Sequence, residues 1–262
     1  MRTIPKIFLI LVVCTPLLAI GDRSERRPSF TVVLDPGHGG HNHGAPCAPQ
    51  ADCFEKHLTL PIALETESYL RTQGVDVFLT RRDDTDIAIS DRVQFANQVG
   101  ADVLISIHLN ASEKVGPSGF MTFTLSPPGM SDAEARLAKF ESLAPTSLDR
   151  QTTERFRSSD LEDILFDLTV THGQIASVKL AHEIQKALSQ YSRFENKGIR
   201  QAPFHVLMGA SMPAVVCELG FLNHPVEGEF LRSKAGQTRL AKALSQGILE
   251  FRLLSEKERA RR

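Results

Sequence analysis

The sequence predicts a single α/β domain: a mostly parallel central sheet with helices on both faces and a helical insertion. Three observations carry this. Short β-branched apolar runs alternate with segments of helical spacing. The first run ends in a glycine-rich loop, the usual place for a site on such a sheet. Residues 130–170 interrupt the rhythm, with many charges and no strand-like run.

In chain order, Phe30 to Leu34 reads as a strand and Asp35-Pro-Gly-His-Gly-Gly40 as the loop after it. Helical character begins near Glu55 to Leu60. Pro61 is tolerable only in a first turn, and Gly74 closes the helix. Val75 to Leu79 is a second strand. Ser90 can cap a helix carrying Val93, Ala96 and Val99 on one side, ended by Gly100. Asp102 to His108 is a buried strand ending on a histidine, and Gly119 to Leu125 another strand.

The insertion follows. Ser131-Asp-Ala-Glu134 and Ser159-Asp-Leu-Glu162 have capping-box form, and Leu161, Ile164, Leu165 and Leu168 line one helical face. Next comes a helix with Ile175, Val178, Ala181, Ile184 and Leu188 at 3–4 spacing. Two short strands are expected at Phe204 to Leu207 and Ala214 to Glu218. A final helix carries Leu240, Leu244, Ile248 and Phe251. Residues 30–252 form the domain, and 253–262 read as a charged tail. There are no internal repeats.

The 262 residues are 42% hydrophobic, enough for a full core, and no tract is biased enough for disorder. Net charge is −1, and nothing suggests nucleic-acid binding, which normally needs a clustered basic face. Arg2 and Lys6 precede an apolar run from Ile7 to Ile20, then Ala19-Ile20-Gly21 and a charged stretch. That is the layout of a secretory signal over residues 1–21, with 22–29 as linker, and it places the protein in the periplasm or outside the cell. An uncleaved anchor is the alternative. A lipoprotein reading through Cys14 is weaker, because Val13 stands where a small residue is expected. In an oxidising compartment Cys47 and Cys53 read as a local disulfide, with a pair of metal thiolates as the rival; Cys217 reads as an inert core residue.

His38 and His108 stand out among nine histidines because each follows an apolar strand, where a parallel sheet gathers its loops. Glu55 stands where a helix begins, and Glu218 ends the strand Ala214-Val-Val-Cys217. Two neutral imidazoles and one carboxylate suit zinc, with a fourth position for water. A second carboxylate could take the water proton and pass it to a leaving amine. Spacing alone cannot prove that these groups converge. No serine has a lysine three residues later, so a penicillin-sensitive serine enzyme is excluded.

Asp35-Pro-Gly-His-Gly-Gly40, Glu55-Lys56, Leu79-Thr-Arg81, Ser106-Ile-His-Leu-Asn-Ala111 and Pro213-Ala-Val-Val-Cys-Glu-Leu-Gly-Phe221 occur in that order. Together they resemble the motifs of the N-acetylmuramoyl-L-alanine amidase family, the zinc amidases of cell separation, over about residues 30 to 252. The resemblance implies that His38, Glu55 and His108 bind Zn2+ and that Glu218 is the general acid/base. It also implies the bond cut, between N-acetylmuramic acid and the L-alanine of the peptidoglycan stem. Two features depart from the family pattern: Asn42 stands where an Asp is common, and the loop before Glu55 carries the cysteine segment. His41 or His43 is the alternative to His38 as ligand, and His57 to Glu55. His172, His182, His205 and His224 read as structural or solvent-facing.

Asp163-Ile-Leu-Phe-Asp-Leu168 resembles a segment of autoinhibited members of that family, in which an inserted helix plugs the zinc cleft until a protein activator displaces it. An acidic group would then take the open metal position, and Glu134, Glu141 and Glu154 are the candidates. The alternative is a solvated helical pair flanking the groove. A zinc peptidase of the stem and a non-catalytic wall-binding module are the competing functions.

Overall fold

A computed structural model describes residues 30–47, 52–112, 116–126, 137–138, 141 and 160–261, with the backbone alone over 160–172. Six strands form one sheet: β1 (Thr31–Pro36), β2 (Asp76–Leu79), β3 (Val103–Asn110), β4 (Phe120–Leu125), β5 (Asn196–Ala202) and β6 (Ala214–Phe221). Their spatial order is β2-β1-β3-β6-β4-β5. The first four in that order are mutually parallel, whereas β4 runs antiparallel to β6 and parallel to β5.

Five helices are described: α1 (Lys56–Thr72), α2 (Ile89–Gln98), α3 (Asp160–Tyr191), α4 (Pro225–Arg232) and α5 (Lys234–Arg259). They divide unequally between the faces. Val32, Leu34, Ile105, Ile107, Val215 and Cys217 face a large core closed by α1, α3 and α5. Val33, Leu104, Met121, Phe123 and Val216 face a smaller one, covered by α2, the 204–212 segment and residues 137–138. With both faces covered, β1, β3 and β6 can be apolar without alternation. Side chains alternate across the sheet, so Asp35, Ser106, His108 and Glu218 all emerge on the smaller side.

Several expectations are corrected. Phe204–Leu207 is not a strand but a 3-10 turn at His205–Leu207, with Phe204, Val206 and Leu207 buried and His205 exposed. The strand is β5 instead, a polar run at the sheet edge, where no apolar alternation is required. Ser90 does not cap α2, which starts one residue earlier after Ala88. Pro61 lies inside α1 rather than in its first turn. The apolar 161–168 stretch is not a separate insertion helix: α3 runs unbroken through it to Tyr191. The segment 253–259 is the end of α5, which continues to Arg259. Residues 1–29 lie outside the described residues, and among those described no helix is long and apolar enough to cross a membrane.

Candidate active site

The loop after β1 is built by two buried arginines. Arg92 from α2 pairs with Asp35 at 2.7 Å and donates to the carbonyls of Pro36, His38 and Ile87. Arg81, after β2, donates to the carbonyls of Pro36, Gly37, Lys56 and Asp83. Each guanidinium nitrogen of both arginines has an acceptor, so the two cations hold the backbone, with Arg92 also lining the cleft wall. Asp35 also accepts from Thr80 and Ser106. Burial alone would raise its pKa, but Arg92 and the two hydroxyls outweigh that and hold it below the usual value. Arg92 was not legible as a site residue. Its only signal is a basic side chain beside the apolar positions Val93 and Ala96.

This scaffold forces His38 into φ 61°, a left-handed conformation uncommon outside glycine. Two glycines admit the imidazoles. A Cβ on Gly37 would lie 2.5 Å from the His108 ring, and one on Gly44 2.5 Å from His38. Asn42 Oδ1 lies 2.8 Å from His38 Nδ1, which places the proton on Nδ1 and turns the Nε2 lone pair inward.

Glu55 is fully buried at the start of α1. Antiparallel backbone pairing anchors it: Glu55 N–H donates to Ala45 O at 2.8 Å, and Ala45 N–H to Glu55 Oε2 at 3.1 Å. One rung further, a disulfide joins Cys47 to Cys53. Leu109 N–H donates to Glu55 Oε1. His41, His43 and His57 are exposed; His43 and His57 stack around Phe54 instead of joining the cluster.

Four side chains thus converge: His38, Glu55, His108 and Glu141, with one ligand atom from each lying within 4.8 Å of the others. His38 Nε2 is 2.9 Å from Glu55 Oε2 and 3.1 Å from Glu141 Oε2. His108 Nδ1 is 3.1 Å from Glu55 Oε1 and from Glu141 Oε2. His38 Nε2 and Glu141 Oε2 nevertheless make no hydrogen bond of good geometry. His108 Nδ1 is hydrogen-bonded to Glu55 Oε1, but His38 Nε2 and Glu141 Oε2 face the same point without one, so the group could hold a metal ion. With protons as the only cations, the carboxylates outweigh burial and lift His38 to about 9.

Glu218 pairs with His108 across β6 and β3 on the same face. It is fully buried, and neither carboxyl oxygen has a hydrogen-bond partner among the described residues. Burial, reinforced by the charges of Glu141 and Glu55, pushes its pKa well above the usual range against the pull of His108 and His38. Glu134 and Glu154 lie outside the described residues. Cys217, next to Glu218, is an inert thiol: burial pushes it to about 12.

The remaining cavity measures about 30 Å³ and is walled by His38, His108, Glu141, Ile89, Phe204 and His205. It has room for a few waters, far less than a sugar–peptide needs. A family profile described as N-acetylmuramoyl-L-alanine amidase matches residues 32–250. The chain belongs to this amidase family. It is 35% identical over 221 residues to N-acetylmuramoyl-L-alanine amidase AmiA of Escherichia coli (strain K12), spanning 84% of this chain and 75% of that one. It is similar to the solved structure of the N-acetylmuramoyl-L-alanine amidase from Clostridium difficile 630, with TM-score 0.64, 29% identity and coverage of 85% and 96%. It also resembles the catalytic domain of CwlV, the amidase from Bacillus (Paenibacillus) polymyxa var. colistinus, with TM-score 0.61, 26% identity and coverage of 84% and 97%. The amidase acts on peptidoglycan, at the N-acetylmuramoyl-L-alanine bond.

Proposed function

We propose that this amidase is zinc-dependent, that His38, Glu55 and His108 hold the metal, that Glu218 moves the proton, and that Glu141 keeps the site shut. The observation that carries this is the buried convergence of two imidazole nitrogens and two carboxylates on one point, with His38 Nε2 left unpaired. The donor set fits zinc in kind: neutral nitrogen and carboxylate oxygen. It fits in spacing too, since ligands about 2.0 Å from a tetrahedral metal stand about 3.3 Å apart, against the 2.9 to 3.1 Å separations here.

When bound, zinc supplies Lewis acidity, polarising the scissile carbonyl and acidifying the attacking water. The protein does the rest. Asn42 fixes the His38 tautomer, and Leu109 N–H and Ala45 N–H fix both oxygens of Glu55. Glu218, with no competing partner, takes the proton from water as it attacks the lactyl carbonyl and hands it to the alanine nitrogen as the C–N bond breaks. The products are a muramic carboxylate and a stem peptide with a free α-amine. The apolar floor of Val216 and Met121 limits water around that transfer.

Glu141 occupies the position a substrate water needs, and it comes from the insertion rather than the sheet. His38 and His108 keep its carboxyl ionised against burial. Ala138, three residues earlier, is buried in the smaller core and tethers it. This supports an autoinhibited resting state, which a protein activator drawing away the insertion would relieve. The Cys47–Cys53 disulfide suits an oxidising compartment, in keeping with export to the periplasm or beyond.

Mass spectrometry of peptidoglycan digested with and without a chelator tests bond and metal together. Stems released with free N-terminal L-alanine, only in the unchelated digest, are expected. Cuts within the stem would instead favour the peptidase reading, and chelator-resistant cleavage would remove the metal from the mechanism.

A further inference from the structure

We propose that His205 is a substrate-positioning residue, its imidazole donating a hydrogen bond to an oxygen of the muramoyl-peptide beside the scissile amide. The proposal rests on the same cavity being the catalytic cleft. Of the polar groups in that wall, all but one are committed. Asp35 and Arg92 satisfy each other and the loop carbonyls, and Asn42 is taken by His38 and Gly44 N–H. His38, His108 and Glu141 belong to the converging cluster. His205 is the exception: it lines the cavity, is solvent-exposed, and its ring makes no hydrogen bond or ion pair among the described residues.

The position of His205 is built. Phe204 and Val206 on either side are buried, and the Phe204 ring packs 5.0 Å from that of Phe123 on β4. With both neighbours turned into the core, the exposed side chain between them is left at the rim of the cleft. Leu207 N–H to Phe204 O and Met208 N–H to His205 O close the turn. Asn97 on α2 then clamps the segment after it, donating to Gly209 O at 2.8 Å and accepting from Ser211 N–H and Oγ. A free donor on a braced turn suits holding an acceptor with little loss of side-chain entropy. Amide and sugar substrates present such acceptors in abundance, and no other polar side chain of the described wall is uncommitted.

The test measures kcat and KM on a soluble muramoyl-peptide, in the wild-type protein and in Glu141→Ala, beside metal content. His205→Ala is expected to raise KM about tenfold, the order of one hydrogen bond, with kcat within about twofold and metal content intact. His205→Asn, which restores a donor, should recover part of the loss. Unchanged KM, or equal loss in the Ala and Asn variants, overturns the proposal. So does loss of metal, which would make His205 structural. Failure of the metal-site reading is seen separately, as chelator-resistant activity of the wild-type protein.

Discussion

Glu218 has no hydrogen-bond partner among the described residues, whereas Glu55 is held through both oxygens. Glu218→Gln should therefore keep the metal and fold while turnover drops by at least about 10²-fold, the scale of a lost general acid/base. Retained turnover in the metal-loaded variant would overturn the assignment. His108→Ala should lose metal and activity together, read by metal content after dialysis. Asp35 lies outside the cluster, yet its loss should be severe in another way. Asp35→Asn leaves Arg92 buried and uncompensated, a change that costs about 3–5 kcal/mol, visible in denaturant unfolding.

Two elements bring carboxylates to the cluster from outside the sheet. The antiparallel bridge between Pro46 and Phe54 presents Glu55, and it was hidden because nothing in Ala45 to Cys53 alternates like a strand. The insertion presents Glu141, one of three acidic candidates that composition could not separate. If Glu141 closes the cleft, Glu141→Ala should raise activity on peptidoglycan without activator by at least about tenfold, the result of shifting a mostly closed population. Deleting residues 132–157 should do the same. Basal rates unchanged in both variants would leave the insertion as a helical flank with no role in control.

For the molecule as a whole, metal, proton and fold are linked. In metal-free protein His38 has a folded pKa of about 9, above its unfolded value near 6.5. A raised pKa of this kind contributes stability that is full below about 6.5 and lost as pH rises through about 9. The Tm of chelated protein should fall across that window. If zinc binds in place of the proton, the loaded protein should not show that fall. At neutral pH, metal at 100 times its Kd should raise Tm by about 5–10 °C. A chelated protein whose Tm is flat from pH 6 to 9 would mean that His38 is neutral in the metal-free state.

The sequence by itself determined the parallel α/β sheet and the order of the motifs, because buried strands, glycine turns and capped helices each leave a local pattern. It also singled out His38, Glu55, His108 and Glu218, which stand at the ends or beginnings of such elements. It misread Phe204 to Leu207 as a strand because two apolar neighbours around a histidine look the same in a turn as at a sheet. Only the tertiary structure decided that Arg81 and Arg92 brace the histidine loop, that Glu141 meets the imidazoles, and that His205 stands at the rim with its ring unpartnered among the described residues. Those facts depend on which groups meet from distant parts of the chain, and local propensity carries no record of such long-range partners.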